Sequence, residues 1–290
     1  MRLIAHISDL HFGRHDPRLV EALQASLAAA APDVIAVSGD LTQRARRREF
    51  AAARAFLDRL RPTPMVIVPG NHDVPLYNVV RRFARPLGRF ERFLGPDRAA
   101  CFRDREIAVL GINTARSLTF KEGRISFAQM ERIVRAFAAD AAAVLKVVVI
   151  HHPLAPPEGS PALGRVGRWR PALAALGQAG VHLVLSGHHH QGYSGELPIP
   201  ATLPAGAAGG VLVVHAGTAV STRTRGEEPN SFNLIRCDGA RRVTVAVCHW
   251  NGSRFAEAPS QTFDFAGGGW RPARRDGYAA SRRDAPSRLR

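Results

Sequence analysis

Lysine is almost missing from this chain: of its 40 basic residues only Lys121 and Lys146 are lysines, and the other 38 are arginines. Cysteine is scarce too. Cys101, Cys237 and Cys248 are the only three, an odd count with no Cys-x-x-Cys pair, which excludes a disulfide framework and a thiolate metal site. Long apolar runs are absent: the longest, Ala141 to Ile150, is broken by Lys146 and falls far short of a membrane span. The amino-terminal stretch Leu3 to Ile7 is too short, and too soon followed by Asp9, to be the apolar core of a signal peptide. The expectation is a cytoplasmic chain with no membrane insertion.

A formal charge of +16 points at first to nucleic acid, because arginines neutralise phosphates. The near-exclusive use of arginine, beside abundant alanine, is instead what codon bias in a GC-rich genome produces. Charge balance bears on solubility and non-specific binding more than on fold. With 290 residues, 46% of them apolar, the chain can bury one full core. We expect one domain over residues 1–265, followed by an Arg-rich tail over 266–290 that lacks apolar periodicity and is predicted to be disordered.

What is present alternates apolar strand-like runs with helical periodicity, as in layered α/β domains. Asp16-Pro17 caps a helix whose Leu19, Val20, Leu23 and Leu27 share a face until Pro32. A second helix carries Phe50, Ala53, Phe56, Leu57 and Leu60, and a third opens on the capping box Ser126–Gln129. Strands are predicted at Leu3–Ile7, Val34–Ser38, Met65–Pro69, Ile107–Ile112, Val147–Ile150 and His182–Ser186, continuous enough to be buried on both faces. Val211–His215, Ser231–Arg236 and Val243–Trp250 read as a second, antiparallel sheet. The stretches 153–171 and 192–210 read as loops. Arg81, Arg82, Arg85, Arg89 and Arg92 alternate with Phe83, Phe90 and Phe93, which reads first as an amphipathic helix with its phenylalanines in the core and second as a phosphate-gripping cap. Arg223 and Arg225 leave the same question open.

Five short blocks follow these strands in order: Asp9-Leu10-His11, Gly39-Asp40, Gly70-Asn71-His72-Asp73, His151-His152-Pro153 and Gly187-His188-His189-His190. Alone, Asp9-x-His11 is a turn beside a surface histidine, and Gly70-Asn71 an ordinary turn. Together, at strand ends where α/β sheets collect ligands, they form an oxygen and nitrogen donor set for two metals. A bridging carboxylate would hold the cations roughly 3.5–4 Å apart, close enough to clamp a phosphate and activate a water.

On these blocks the chain resembles the calcineurin-like metallophosphoesterases, and within them the class III cyclic-nucleotide phosphodiesterases, over residues 3 to about 190. The resemblance implies a four-layer αββα fold, a two-sheet sandwich flanked by helices. It implies that Asp9, His11 and His190 hold one metal, that Asn71, His151 and His188 hold the other, and that Asp40 bridges them. It further implies that His72 is the leaving-group acid, with Asp73 able to orient it. The metals would be divalent or trivalent Mn, Fe or Zn, with Co or Ni also fitting a sulfur-free donor set. Hydrolysis of a small phosphodiester, such as a 3',5'-cyclic nucleotide, by a metal-activated water is the expected activity. Glycerophosphodiesters, nucleotide sugars and DNA are alternatives, and a non-catalytic scaffold comes last because no donor is missing. Of the other histidines, His152 and His189 flank donors, whereas His6 and His182 sit within strands and are expected to be satisfied core residues.

Overall fold

A computed structural model describes residues 1–95, 101–119, 121–142, 144–156, 164–200, 209–226 and 228–273. The strands are β1 (Arg2–Ile7), β2 (Val34–Val37), β3 (Met65–Ile67), β4 (Cys101–Arg103), β5 (Ile107–Gly111), β6 (Leu145–Val149) and β7 (Leu183–Ser186), then β8 (Tyr193–Ile199), β9 (Gly209–His215), β10 (Ser231–Asp238), β11 (Arg242–Trp250), β12 (Phe255–Glu257), β13 (Gln261–Ala266) and β14 (Gly269–Pro272). The helices are α1 (Pro17–Ala30), α2 (Arg47–Arg59), α3 (Val79–Ala84), α4 (Gly88–Leu94), α5 (Phe127–Phe137) and α6 (Trp169–Gln178).

The strands form two sheets. One runs β14-β13-β11-β10-β1-β2-β3, with β12 added on β11, and the other runs β4-β5-β6-β7-β9-β8. Side-chain alternation explains why the runs look uniformly apolar. In β2, Val34 and Ala36 enter the core between the sheets, while Ile35 and Val37 face α1 and α2. In β6, Val147 and Val149 point between the sheets and Val148 packs toward α5 and α6. Each outer helix contributes one stripe: Leu19, Leu23 and Leu27 of α1 on one side, Met130, Ile133 and Phe137 of α5 on the other. The result is helix, sheet, sheet, helix, the four layers expected. The caps follow the sequence as well, since Asp16 accepts from Arg18 N and Ser126 exchanges hydrogen bonds with Gln129.

Several expectations are corrected. The second sheet is not the carboxy-terminal part of the chain: β9 pairs in parallel with β7, whereas β10 pairs antiparallel with β1. Both sheets therefore draw strands from both halves of the sequence. The stretch 192–210 contains β8, paired along β9, and α6 starts at Trp169 within the other expected loop. The arginine-rich stretch 79–94 is two short helices. Phe90 is buried, but Phe83 is exposed rather than in the core. Past residue 265, where the domain is expected to end, β14 pairs with β13 and buries Trp270, whose Nε1 donates to His182 O at 2.9 Å. The rest of the expected tail, from residue 274, lies outside the described residues. Among those described, no helix is long and apolar enough to cross a membrane.

Candidate metal centre

The strand ends bring the donors of both sheets together. Asp9 and His11 follow β1, Asp40 follows β2, and Asn71 to Asp73 form a single 3-10 turn after β3. His151 follows β6, while His188 and His190 follow β7. Among the described residues, four overlapping groups have donor atoms within 4.8 Å of one another: Asp9–His11–His190, His11–Asp40–His72, Asp9–Asp40–His151 and His151–His152–His188. Asn71 joins them through Oδ1, 3.2 Å from His151 Nε2. All seven residues expected to hold metal thus converge, and His72 lies beside them.

The backbone is bent to achieve this. Asp9, His11, Asp40, His188 and His190 all have positive φ, between 45° and 74°. Non-glycine residues there cost about 1–3 kcal/mol each and persist where the surroundings over-determine them. Gly39 has φ +99°, a turn open to glycine, directly before Asp40. At Gly187 the constraint is space, since a Cβ would enter the volume of Ser8 Oγ and Asp9 Oδ2.

Each carboxylate is divided between two tasks. Asp9 Oδ2 accepts from Ser8 Oγ at 2.6 Å and His188 N at 3.0 Å, while its buried Oδ1 makes no conventional hydrogen bond and faces His190 Nε2 at 3.1 Å. Asp40 Oδ1 accepts from His72 N at 2.8 Å, while Oδ2 faces His151 Nε2 at 3.4 Å and His11 Nε2 at 3.8 Å. The imidazoles are oriented the same way. His190 Nδ1 donates to Arg223 O at 2.8 Å and His151 Nδ1 donates to Ser38 O at 2.7 Å, so each turns its Nε2 inward. His190 Nε2 and His11 Nε2 then stand 3.1 Å apart.

Burial works against the charge of both carboxylates, but the facing imidazoles outweigh it. His190 and His11 hold Asp9, and His151 and His72 hold Asp40, well below the usual carboxylate range. Burial likewise opposes a proton on His151, yet Asp40, Asp9 and the Ser38 carbonyl carry this imidazole up to about 9. His190 is raised against burial by Asp9, whereas burial and His151 push His188 down to about 3.

The sequence reading of Asp73 needs correction. Its carboxylate does not touch the His72 ring. It accepts from Gly70 N, Leu41 N, Thr42 N and Thr42 Oγ1, tying the turn after β3 to the loop after β2. His72 Nδ1 instead donates to the Gln43 carbonyl at 2.8 Å. His6 is satisfied by Ser38 and Asn233, as expected of a core histidine. His152 pairs through Nδ1 with Thr114 Oγ1 at 2.7 Å and leaves its buried Nε2 without a partner beside the donors.

A cavity of about 460 Å³ opens onto Asn71 and His72, and Arg14, Arg44, Lys121 and Arg223 stand around it. Arg223 Nη1 lies 3.4 Å from both His72 Nε2 and Gln43 Oε1. Arg44 is braced on Tyr77, hydrogen-bonded to its hydroxyl with the guanidinium 5.1 Å from the ring centroid. Sequence reasoning singled out Arg223 but not Arg14, Arg44, Lys121 or Gln43. Arg14, Gln43 and Arg44 lie three or four residues past a donor, a position that a chain so rich in arginine does not make visible, and Lys121 carries no such signal.

The family model for calcineurin-like phosphoesterases matches residues 2–192. Over 82 residues the chain is 35% identical to the glycerophosphodiester phosphodiesterase GpdQ of Enterobacter lignolyticus (strain SCF1), a match that covers 24% of this chain and only 29% of that relative. Two solved structures share the fold. The purple acid phosphatase PPD1 of yellow lupin has a TM-score of 0.64 at 14% identity, covering 90% of this chain and 53% of that one. A dimetal phosphatase from Danio rerio has a TM-score of 0.59 at 12% identity, covering 91% and 99%.

Proposed function

The chain belongs to the calcineurin-like phosphoesterase family, and from that premise we propose that it is a metal-dependent phosphoester hydrolase, a dinuclear phosphodiesterase acting on a small phosphodiester. Asp9, His11 and His190 would hold one metal, Asn71, His151 and His188 the other, and Asp40 both. The observation that carries this reading is a meeting of acceptors. With Nδ1 of His190 and of His151 committed to carbonyls, lone pairs converge with Asp9 Oδ1, Asp40 Oδ2 and Asn71 Oδ1 on one buried space. Such a convergence is repulsive unless positive charge lies within it, a metal cation or, in its absence, the proton that Asp40 and Asp9 hold on His151. The donor set suits Mn, Fe or Zn. When bound, the pair supplies positive charge for phosphate oxygens and a water acidified enough to attack near neutral pH.

The protein groups do the rest. The Gln43 carbonyl fixes the His72 ring so that Nε2 faces the cavity, the atom from which a proton would pass to the departing alkoxide. Asp73 acts on the loops and not on the imidazole, holding the turn that carries Asn71 and His72 against the loop that carries Asp40. The four cations around the mouth favour an anionic ester over a neutral one. A 3',5'-cyclic nucleotide is our first substrate and a glycerophosphodiester the second, the latter favoured by the named activity of the 35%-identical relative.

The test pairs elemental analysis with turnover of bis-p-nitrophenyl phosphate, then ranks kcat/KM for cAMP, cGMP, glycerophosphodiesters, nucleotide sugars and single-stranded DNA. Two metals per chain with turnover are expected. Two bound metals without turnover of any diester would revive the scaffold reading.

A further inference from the structure

Exposed apolar side chains are concentrated on one face. Among the described residues eight large apolar side chains are exposed, and six belong together: Leu76, Tyr77, Val79, Val80, Phe83 and Leu118. Val80 and Leu118 are each 77% exposed. Leu118 joins the others because buried Arg82, on α3, donates to Pro75 O at 3.0 Å, Ser117 O at 2.7 Å and Thr119 O at 2.6 Å. One guanidinium thus clamps α3 to the loop that carries Leu118 and holds the apolar side chains as a platform. Soluble proteins rarely expose so many together without a partner.

The surroundings of the platform are basic. A cavity of about 510 Å³ against it is lined by Arg47, Arg81, Arg85, Arg89 and Arg92, with no carboxylate among its lining residues. Burial foremost, and then Arg81 and Arg47 nearby, push the Arg89 guanidinium below its ordinary value against the pull of Glu49, and the five arginines around one cavity are like charges crowded together. Crowding of this kind costs stability in the free protein and is relieved by a polyanion. Pro75 and Val80 line this cavity, and Val74 and Leu76 line the one beside His72, so a single segment forms the wall between them.

We propose that this face docks on an anionic phospholipid surface, with the six apolar side chains entering the headgroup layer and the arginine-lined cavity taking lipid phosphates. Apolar residues flanked by arginines are what an interfacial segment requires. Charge argues against a second copy of the chain as the occupant, since a twofold contact here would set one arginine cluster against another. The docked face carries the mouth of the metal centre to the membrane surface. The proposal does not depend on which diester is cleaved.

The test is co-sedimentation of the full chain, metals bound, with vesicles of phosphatidylcholine alone or with about one third phosphatidylglycerol, at low and high salt. Two variants accompany it, Val79→Ser/Val80→Ser/Phe83→Ser and Arg81→Gln/Arg85→Gln. Selective binding to the anionic vesicles is expected, weakened by salt. Each arginine removed should weaken it about fivefold, and the serine variant should weaken it at least about tenfold. Both variants should retain bis-p-nitrophenyl phosphate turnover in solution, which separates lost docking from lost folding. Equal binding to neutral vesicles, no binding at low salt, or binding that both variants keep overturns the proposal. So does a dimer, seen by light scattering, that the serine variant breaks apart. Binding of a single-stranded oligonucleotide that the arginine variant abolishes, with no vesicle binding, would assign the face to nucleic acid and overturn it as well.

Discussion

Removing the metals should leave a proton in their place, and the pH dependence of stability should reveal it. His151 titrates ordinarily near 6.5, but in the folded protein Asp40, Asp9 and the Ser38 carbonyl overcome burial and carry it to about 9. Folding of the metal-free chain therefore favours the imidazolium. Its contribution is fully present below about pH 6.5 and is lost as pH rises through about 9, a difference of about 3 kcal/mol for this wholly buried group. A bound metal needs the neutral ring, so loading near pH 7.5 should release at least about one proton, and affinity should rise about tenfold per pH unit up to pH 9. Urea unfolding of chelated and loaded protein between about pH 6 and pH 9.5 measures the first effect. Calorimetric titration of metal in buffers of different ionisation enthalpy counts the proton. Asp40→Asn, which removes the main charge holding that proton, should flatten the chelated curve and separates His151 from the amino terminus, whose ion pair with Glu106 also titrates in the alkaline range. Chelated protein whose stability is constant between pH 6.5 and pH 9, or loading without proton release, would refute the account of opposed acceptors.

Three substitutions probe the remaining arguments. His72→Ala should slow an alkyl diester by about 10² to 10⁴ but spare bis-p-nitrophenyl phosphate, whose leaving group needs little help; equal loss on both removes the acid role. Gly187→Ala pushes a methyl into Ser8 Oγ and Asp9 Oδ2 and should weaken metal binding about 10- to 100-fold in a metal titration, and unchanged affinity would mean the contact yields freely. Trp270→Ala should cost about 3–5 kcal/mol in denaturant unfolding, whereas a change under about 1 kcal/mol would return the end of the folded unit toward residue 265.

The metal-site motif was legible because its chemistry allows few substitutes: carboxylate, imidazole and amide donors had to follow strand ends, and those residues are visible as letters. The parallel strands were legible for a related reason, since burial on both faces leaves uninterrupted apolar runs such as Val34–Val37. Pairing partners were not. Val211–Val214 is an apolar run in either sheet, and only the parallel contact with β7 decides which. The strand β8 hides behind Gly195 and Pro198, acceptable there because it is the outermost strand of its sheet. Asp73 was misread for want of direction: adjacency to His72 in sequence says nothing about where a carboxylate points, and Gly70 N of its own turn together with three donors from the loop after β2 claim it. The arginines around the cavity could not be told from those facing water, since both are equally common letters in this chain.

The donors come from the ends of β1, β2 and β3 in one sheet and of β6 and β7 in the other, and Asp9 and His188, which share a hydrogen bond, are 179 residues apart. A metal pair held by both sets, as proposed above, would be a rivet driven through the sandwich. Metal–ligand bonds tolerate only about 0.2 Å of error, much less than packed side chains absorb by changing rotamer. Such a rivet would set the alignment of the two sheets at this end of the molecule. Away from the metal end the sheets are joined by softer links, Trp270 Nε1 to His182 O and Arg2 Nε to Asp104, whose geometry tolerates offsets that leave the chemistry untouched.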